Sequence, residues 1–150
     1  MEGHNTQTVK VNIEEILAEG QTVQLHPQGY SMYPLFVPGR DEAVIAPIGD
    51  RSPKRGDVVL YRRDHGILVL HRILRVTSKG IYLVGDNQTK VEGPLRPDQV
   101  RGILVAFVRR GKYTRTTQPL YALISRAWLF LRPVRRPIQL AGHFLRSRIR

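Results

Sequence analysis

No cysteine occurs in the chain, tryptophan occurs once, methionine twice, and aromatic residues make up only 7% of the sequence. Without thiols, neither a disulfide framework nor a thiolate metal site can form. The compartment stays open, because cysteine-free chains suit the cytosol and oxidising spaces alike. Long apolar runs are scarce too. Residues 1–30 include Glu2, Glu14, Glu15 and Glu19, and they hold neither a signal-peptide core nor a membrane span. The most informative absence is acid: no Asp or Glu follows Asp98, while residues 99–150 carry 12 of the 24 Lys and Arg. Residues 1–98 carry the other 12 bases and all 12 acids, so the net charge of +12 lies in the last third. A neutral body with a basic tail points to an anionic surface, membrane or nucleic acid, contacted by the tail.

What is present reads as one domain, since 150 residues suffice for a single sizeable core. Asn12 has the features of a helix N-cap, with Glu15 three residues on, Val11 placed to staple Ile16, and Gly20 as the stop. The helix is expected over Ile13 to Glu19. From Thr22 the pattern alternates, with Val23 and Leu25 on one face, which argues a half-buried strand. Further strands are expected over Glu42 to Pro47, Asp57 to Arg62, Ile67 to Val76, Ile81 to Val84 and Gln99 to Arg109. The turns between them are 38–41, 63–66, 78–80 and 85–88. Many short strands with glycine-bearing turns describe a mainly β fold, a small antiparallel β sandwich or coiled barrel. The expected organisation is a polar N-terminus with a short helix (1–21), a β domain (22–112) and a basic amphipathic tail (113–150).

In that tail, Leu120 to Leu131 is apolar except for Ser125 and Arg126, and at 12 residues it is too short to span a bilayer. Beyond Pro137, Ile138, Ala141, Leu145 and Ile149 recur at helical spacing among arginines. Two basic amphipathic helices over residues 119–150 suit an anionic membrane interface, with Trp128 at headgroup depth. The competing expectation is a tail packed back on the body. A nucleic-acid contact fits less well, because Trp128, Phe130 and Phe144 suit bilayer burial better than a phosphate clamp. No specific nucleic acid is expected.

The chemistry-bearing stretch is Gly29-Tyr30-Ser31-Met32-Tyr33-Pro34. Gly29 accommodates a positive φ and Pro34 restricts itself and its predecessor, so Ser31 and Met32 have little freedom. Such a frame suits a nucleophilic hydroxyl, which needs a base and oxyanion donors held in place, but it equally suits an ordinary turn. His71 is the one histidine set in an apolar strand, sharing a face with Val69 and Ile73 while Arg72 points the other way. It fits a core residue or the proton acceptor a serine needs. Asp86 and Glu92 are the acids placed to orient it or to cap loop N–H groups. His65, His71 and Asp64 match no recurrent metal spacing, so neither metal nor cofactor is expected.

In chain order, Gly29-Tyr-Ser31-Met32-Tyr-Pro34, Arg55-Gly56-Asp57-Val58-Val59, His71-Arg72-Ile73 and Gly85-Asp86-Asn87 resemble the boxes of the type I signal peptidase family, over roughly residues 22–112. The resemblance implies Ser31 as nucleophile and His71 as general base, since the endoplasmic-reticulum and archaeal members use histidine where bacterial ones use lysine. It also implies an acid six residues beyond the Gly-Asp-Asn aspartate, which here is Glu92. The family's membrane anchor ahead of the serine box has no counterpart in residues 1–30, and the basic tail is expected to replace it. A self-cleaving repressor-like peptidase is the neighbouring alternative, disfavoured because no lysine lies between Gly56 and Arg75. A non-enzymatic peptide binder at a membrane surface is the other. The substrate, a signal or leader peptide, is expected to lie extended along residues 22–30, contacting Leu25, Gly29, Met32 and Pro34. A preference for small residues before the cut follows from the resemblance.

Overall fold

The computed structural model describes residues 12–64 and 66–134. The expected Val11–Ile16 staple and the helix beyond Pro137 fall outside them. Helix α1 (Ile13–Ala18) begins at Asn12, whose side chain accepts from the Glu14 and Glu15 N–H groups. Its buried Leu17 packs into the core.

Eight antiparallel strands follow: β1 (Val23–Leu25), β2 (Asp41–Ala46), β3 (Val58–Arg62), β4 (Leu68–Thr77), β5 (Gly80–Val84), β6 (Glu92–Leu95), β7 (Val100–Arg109) and β8 (Lys112–Arg115). They form one open sheet in the order β1-β2-β7-β3-β4-β5-β6, with β8 also paired to β7. Over the described residues the fold is therefore mainly β, with a short helix before β1 and another after β8.

The strand alternation divides the apolar residues between two clusters. Val58, Leu60, Leu70, Leu104 and Phe107 join Leu17, Met32 and Phe36 in one. Val59, Tyr61, Ile73, Leu83 and Ile103 form the other. Both alternating sets are buried, so β3 is a continuous apolar run from Val58 to Tyr61 rather than half polar.

Three details differ from the sequence expectation. Asp41 opens β2 instead of closing a turn; it is buried because Arg40, Arg109 and the Val37 N–H all donate to it. Burial opposes its ionisation, but the hydrogen bonds from Arg40 and Arg109 outweigh that and hold its pKa below the usual carboxylate value. Strand β6 contains Gly93 and Pro94, residues that mark loops by composition, and a pairing with β5 overrides them. Strand β8 is a short polar hairpin partner whose register (Phe107↔Thr114, Val108↔Tyr113) comes from the turn at Arg110-Gly111, both at positive φ.

Helix α2 (Pro119–Phe130) covers the sheet near the Phe107 end, where Tyr121 packs on the Phe107 ring at a centroid distance of 5.9 Å. Among the described residues no helix is long and apolar enough to cross a membrane.

Candidate active site

Strand β1 delivers the chain to Gly29, which takes φ +73°, and residues 31–35 form a turn. Met32 is only 3% exposed and lies in the core beside Phe36. It therefore anchors the turn from beneath, which corrects its expected place on the substrate surface. Phe36 N–H donates to the Met32 carbonyl and Tyr33 N–H to the Tyr30 carbonyl, so the backbone around Ser31 is pinned on both sides. Tyr30 and Tyr33 project outward, Gly29 and Pro34 are exposed, and Ser31 is half-buried between them.

The loop after β5 holds this turn. Asn87 N–H donates to the Ser31 carbonyl at 2.8 Å. A Cβ on Gly85 would fall 2.6 Å from that same oxygen, so only glycine permits this approach. In the β4–β5 register Arg72 pairs with Val84, so the ladder ends one residue short of His71 on β4 and of Gly85 on the chain leaving β5. The Ser31 backbone and the His71 strand thus meet at one loop. Ser31 Oγ forms no hydrogen bond among the described residues, to His71 or any other group.

His71 sits mid-strand opposite Val59 and is 2% exposed. Its Nδ1 lies 3.1 Å from the Tyr61 hydroxyl oxygen, and that hydroxyl donates to Glu92 Oε2 at 2.8 Å. An ionised carboxylate only accepts, so the phenolic proton points to Glu92 and the phenolic oxygen accepts from Nδ1–H. This fixes the tautomer: Nε2 carries the lone pair, the requirement for taking a proton from a hydroxyl. Arg63 completes the chain with hydrogen bonds to both Glu92 oxygens.

The electrostatics agree with this assignment. Burial is the main influence on His71 and lowers its pKa below the usual 6.5; Arg63 adds to the effect, while Glu92 and Asp86 oppose it. The imidazole is neutral at neutral pH. Burial also pushes the Tyr61 hydroxyl up, reinforced by its hydrogen bond to Glu92, so it remains a proton carrier and never a phenolate. For Glu92, burial favours the neutral acid, but the hydrogen bonds from Arg63 and Tyr61 prevail and keep it ionised.

The two candidate acids separate in role. Asp86 binds Arg72 through two hydrogen bonds of 2.8 Å, with Arg72 1% and Asp86 3% exposed. It braces the loop that holds Ser31, and among the described residues its carboxylate serves Arg72 and not the imidazole, so of the two roles open to it the structure favours bracing the loop. Arg72 also donates to the Gly56 carbonyl at 2.9 Å, tying the Arg55-Gly56-Asp57 stretch to the same loop. Burial disfavours the Arg72 charge, yet the Asp86 hydrogen bonds overcome it and raise its pKa. Glu92 approaches His71 Nδ1 no closer than 3.9 Å and acts through Tyr61. Tyr61 is the residue sequence reasoning missed, because an aromatic in an apolar strand reads as core.

Leu25 is half-buried on β1, packed against the core. Strand β1 pairs with β2 only, so its other side is a sheet edge among the described residues. Helix α2 also clamps the loop: Trp128 donates its indole N–H to the Asp86 carbonyl at 3.1 Å, and Arg132 donates to the Thr89 carbonyl at 3.0 Å. Trp128 therefore faces the body, not a bilayer headgroup layer. No group of three or more potential metal ligands occurs among the described residues.

Comparison with family models, curated proteins and solved structures finds no match, so the reading of this site rests on its geometry and on the four sequence boxes.

Proposed function

We propose that the protein is a serine endopeptidase resembling type I signal peptidases, which cleaves signal or leader peptides by attack of Ser31 with His71 as general base. The observation that carries this reading is the chain from His71 Nδ1 through Tyr61 to Glu92, which leaves Nε2 to act as the base, on a strand linked to the Ser31 turn through the 85–87 loop.

In the proposed reaction, Nε2 accepts the Ser31 proton as Oγ bonds to the scissile carbonyl carbon, and the carbonyl electron pair moves to oxygen. In this scheme the Ser31 N–H donates to that oxyanion, and Gly29 offers no side-chain donor, so backbone supplies the remainder. The imidazolium is stabilised by Nδ1–H donation to Tyr61, whose own proton leans to Glu92. It then protonates the leaving amine, and a water repeats the sequence to release the acyl group. The substrate adds as an extended strand along β1 at the free sheet edge, main chain to main chain, with Tyr30 and Tyr33 flanking the cut.

The test is cleavage of a peptide series with small residues before the scissile bond, by the full chain and by Ser31→Ala. Cleavage confined to the wild-type serine is expected. Equal cleavage by Ser31→Ala would overturn the assignment and favour a peptide-binding role for the sheet edge.

A further inference from the structure

Helix α2 meets the body with one face only. Tyr121, Ser125, Trp128 and Leu129 point inward, where Ser125 and Leu129 are buried. The outward face carries Leu120, Leu123, Ile124, Ala127, Phe130 and Leu131, all exposed; Leu120 is 68% and Phe130 81% open to solvent. At the helical period these residues form a continuous stripe roughly 120° wide, opposite the docked face. A helix apolar on both faces favours a second apolar contact, and among the described residues the body supplies only the first.

The surroundings of the stripe indicate what that contact is. A groove of about 650 Å³ runs along one side of α2, where Arg110 and Lys112 stand beside Leu120 and Ile124. Another of about 720 Å³ runs along the other side, where Lys54, Arg55 and Arg126 stand beside Leu123 and Phe130. The acids at these grooves are already engaged, Asp86 by Arg72 and Asp57 by Lys54. Apart from Lys54, which pairs with Asp57, the exposed cations Arg110 and Lys112 on one side and Arg55 and Arg126 on the other flank the apolar stripe, with no free acid between them among the described residues. That is the charge pattern of a helix lying in the plane of an anionic lipid surface.

We propose that the outward face of α2 seats the protein on an anionic bilayer, with Leu120, Leu123, Ile124 and Phe130 entering the acyl boundary and Arg110, Lys112, Arg55 and Arg126 at phosphate depth. The inference stands independently of the peptidase reading. The inward face, through Trp128 and Arg132, stays on the loop that holds Ser31.

Vesicle co-sedimentation of the full chain tests it, using phosphatidylcholine vesicles with and without phosphatidylglycerol. Binding to the anionic vesicles is expected, and it falls about ten-fold or more in L123Q/I124Q/F130Q. Each of Arg110→Gln and Lys112→Gln lowers it about five-fold. Circular dichroism verifies that the variants fold, and soluble-peptide cleavage without vesicles is expected to be unchanged in the triple variant. Equal binding to neutral and anionic vesicles would overturn the proposal, as would unchanged binding in the triple variant. So would a dimer in solution that the triple substitution dissolves while vesicles bind nothing, which would make a second copy the occupant.

Discussion

Tyr61→Phe is the substitution that probes the site most sharply, because it removes one oxygen atom and leaves the ring in place. That oxygen accepts from His71 Nδ1 at 3.1 Å and its proton serves Glu92 at 2.8 Å. Its loss leaves a buried Nδ1–H without an acceptor, which costs about 1–3 kcal/mol, while Glu92 keeps Arg63. In the proposed reaction the larger effect falls on the imidazolium formed during attack. A hydrogen bond to a charged partner is worth about 1.5–3 kcal/mol, which at about 1.4 kcal/mol per decade corresponds to a fall of roughly 10- to 150-fold in kcat.

The pH dependence separates this mechanism from simple damage. Tyr61 stabilises the protonated ring, so in Tyr61→Phe the His71 pKa falls further below 6.5, and the acid limb of kcat/KM moves to lower pH as the plateau drops. Peptide cleavage measured across pH for wild type and variant reads both quantities. An unaltered plateau with an unaltered acid limb would refute the relay through Tyr61.

Other outcomes follow from the same geometry. Gly85→Ala pushes a methyl into the Ser31 carbonyl, 2.6 Å away, and is expected to lower both activity and melting temperature, with the activity loss persisting well below the transition. Asp86→Ala strands the buried Arg72 and should lose about 3–5 kcal/mol in denaturant unfolding, whereas R72M/D86L recovers most of it. Because the folded His71 pKa lies below its ordinary 6.5, the unfolded chain binds this proton more readily. The stability from its neutral form is complete above pH 6.5 and is lost as pH falls through the folded pKa; His71→Gln should flatten that part of a pH–stability curve.

The strands 58–62, 68–77, 80–84 and 100–109 and the capped helix at Ile13 were legible because their apolar runs are strand-length and their ends carry turn residues. Strand β6 was hidden because Gly93 and Pro94 signal a loop, and β8 because a short, exposed, charged strand has no apolar period. Alternation correctly placed His71 and Arg72 on opposite faces. It gave no sign that Arg72 would be buried, since loop 85–88 and α2 close over that side only in three dimensions. The family resemblance pointed to Glu92 through its offset from Asp86 and left the roles of the two acids open; in the structure Asp86 binds Arg72 and Glu92 binds Tyr61. Tyr61 stayed invisible because its hydroxyl has a partner 31 residues away, across two strands.

The most direct measurement is acid-quenched mass spectrometry of the full chain during turnover of a slowly deacylating peptide ester. An adduct of the acyl fragment on the peptide carrying Ser31, absent in both Ser31→Ala and His71→Ala, is the predicted result. Turnover with the acyl group on another residue, or an undiminished Ser31 adduct in His71→Ala, would contradict it.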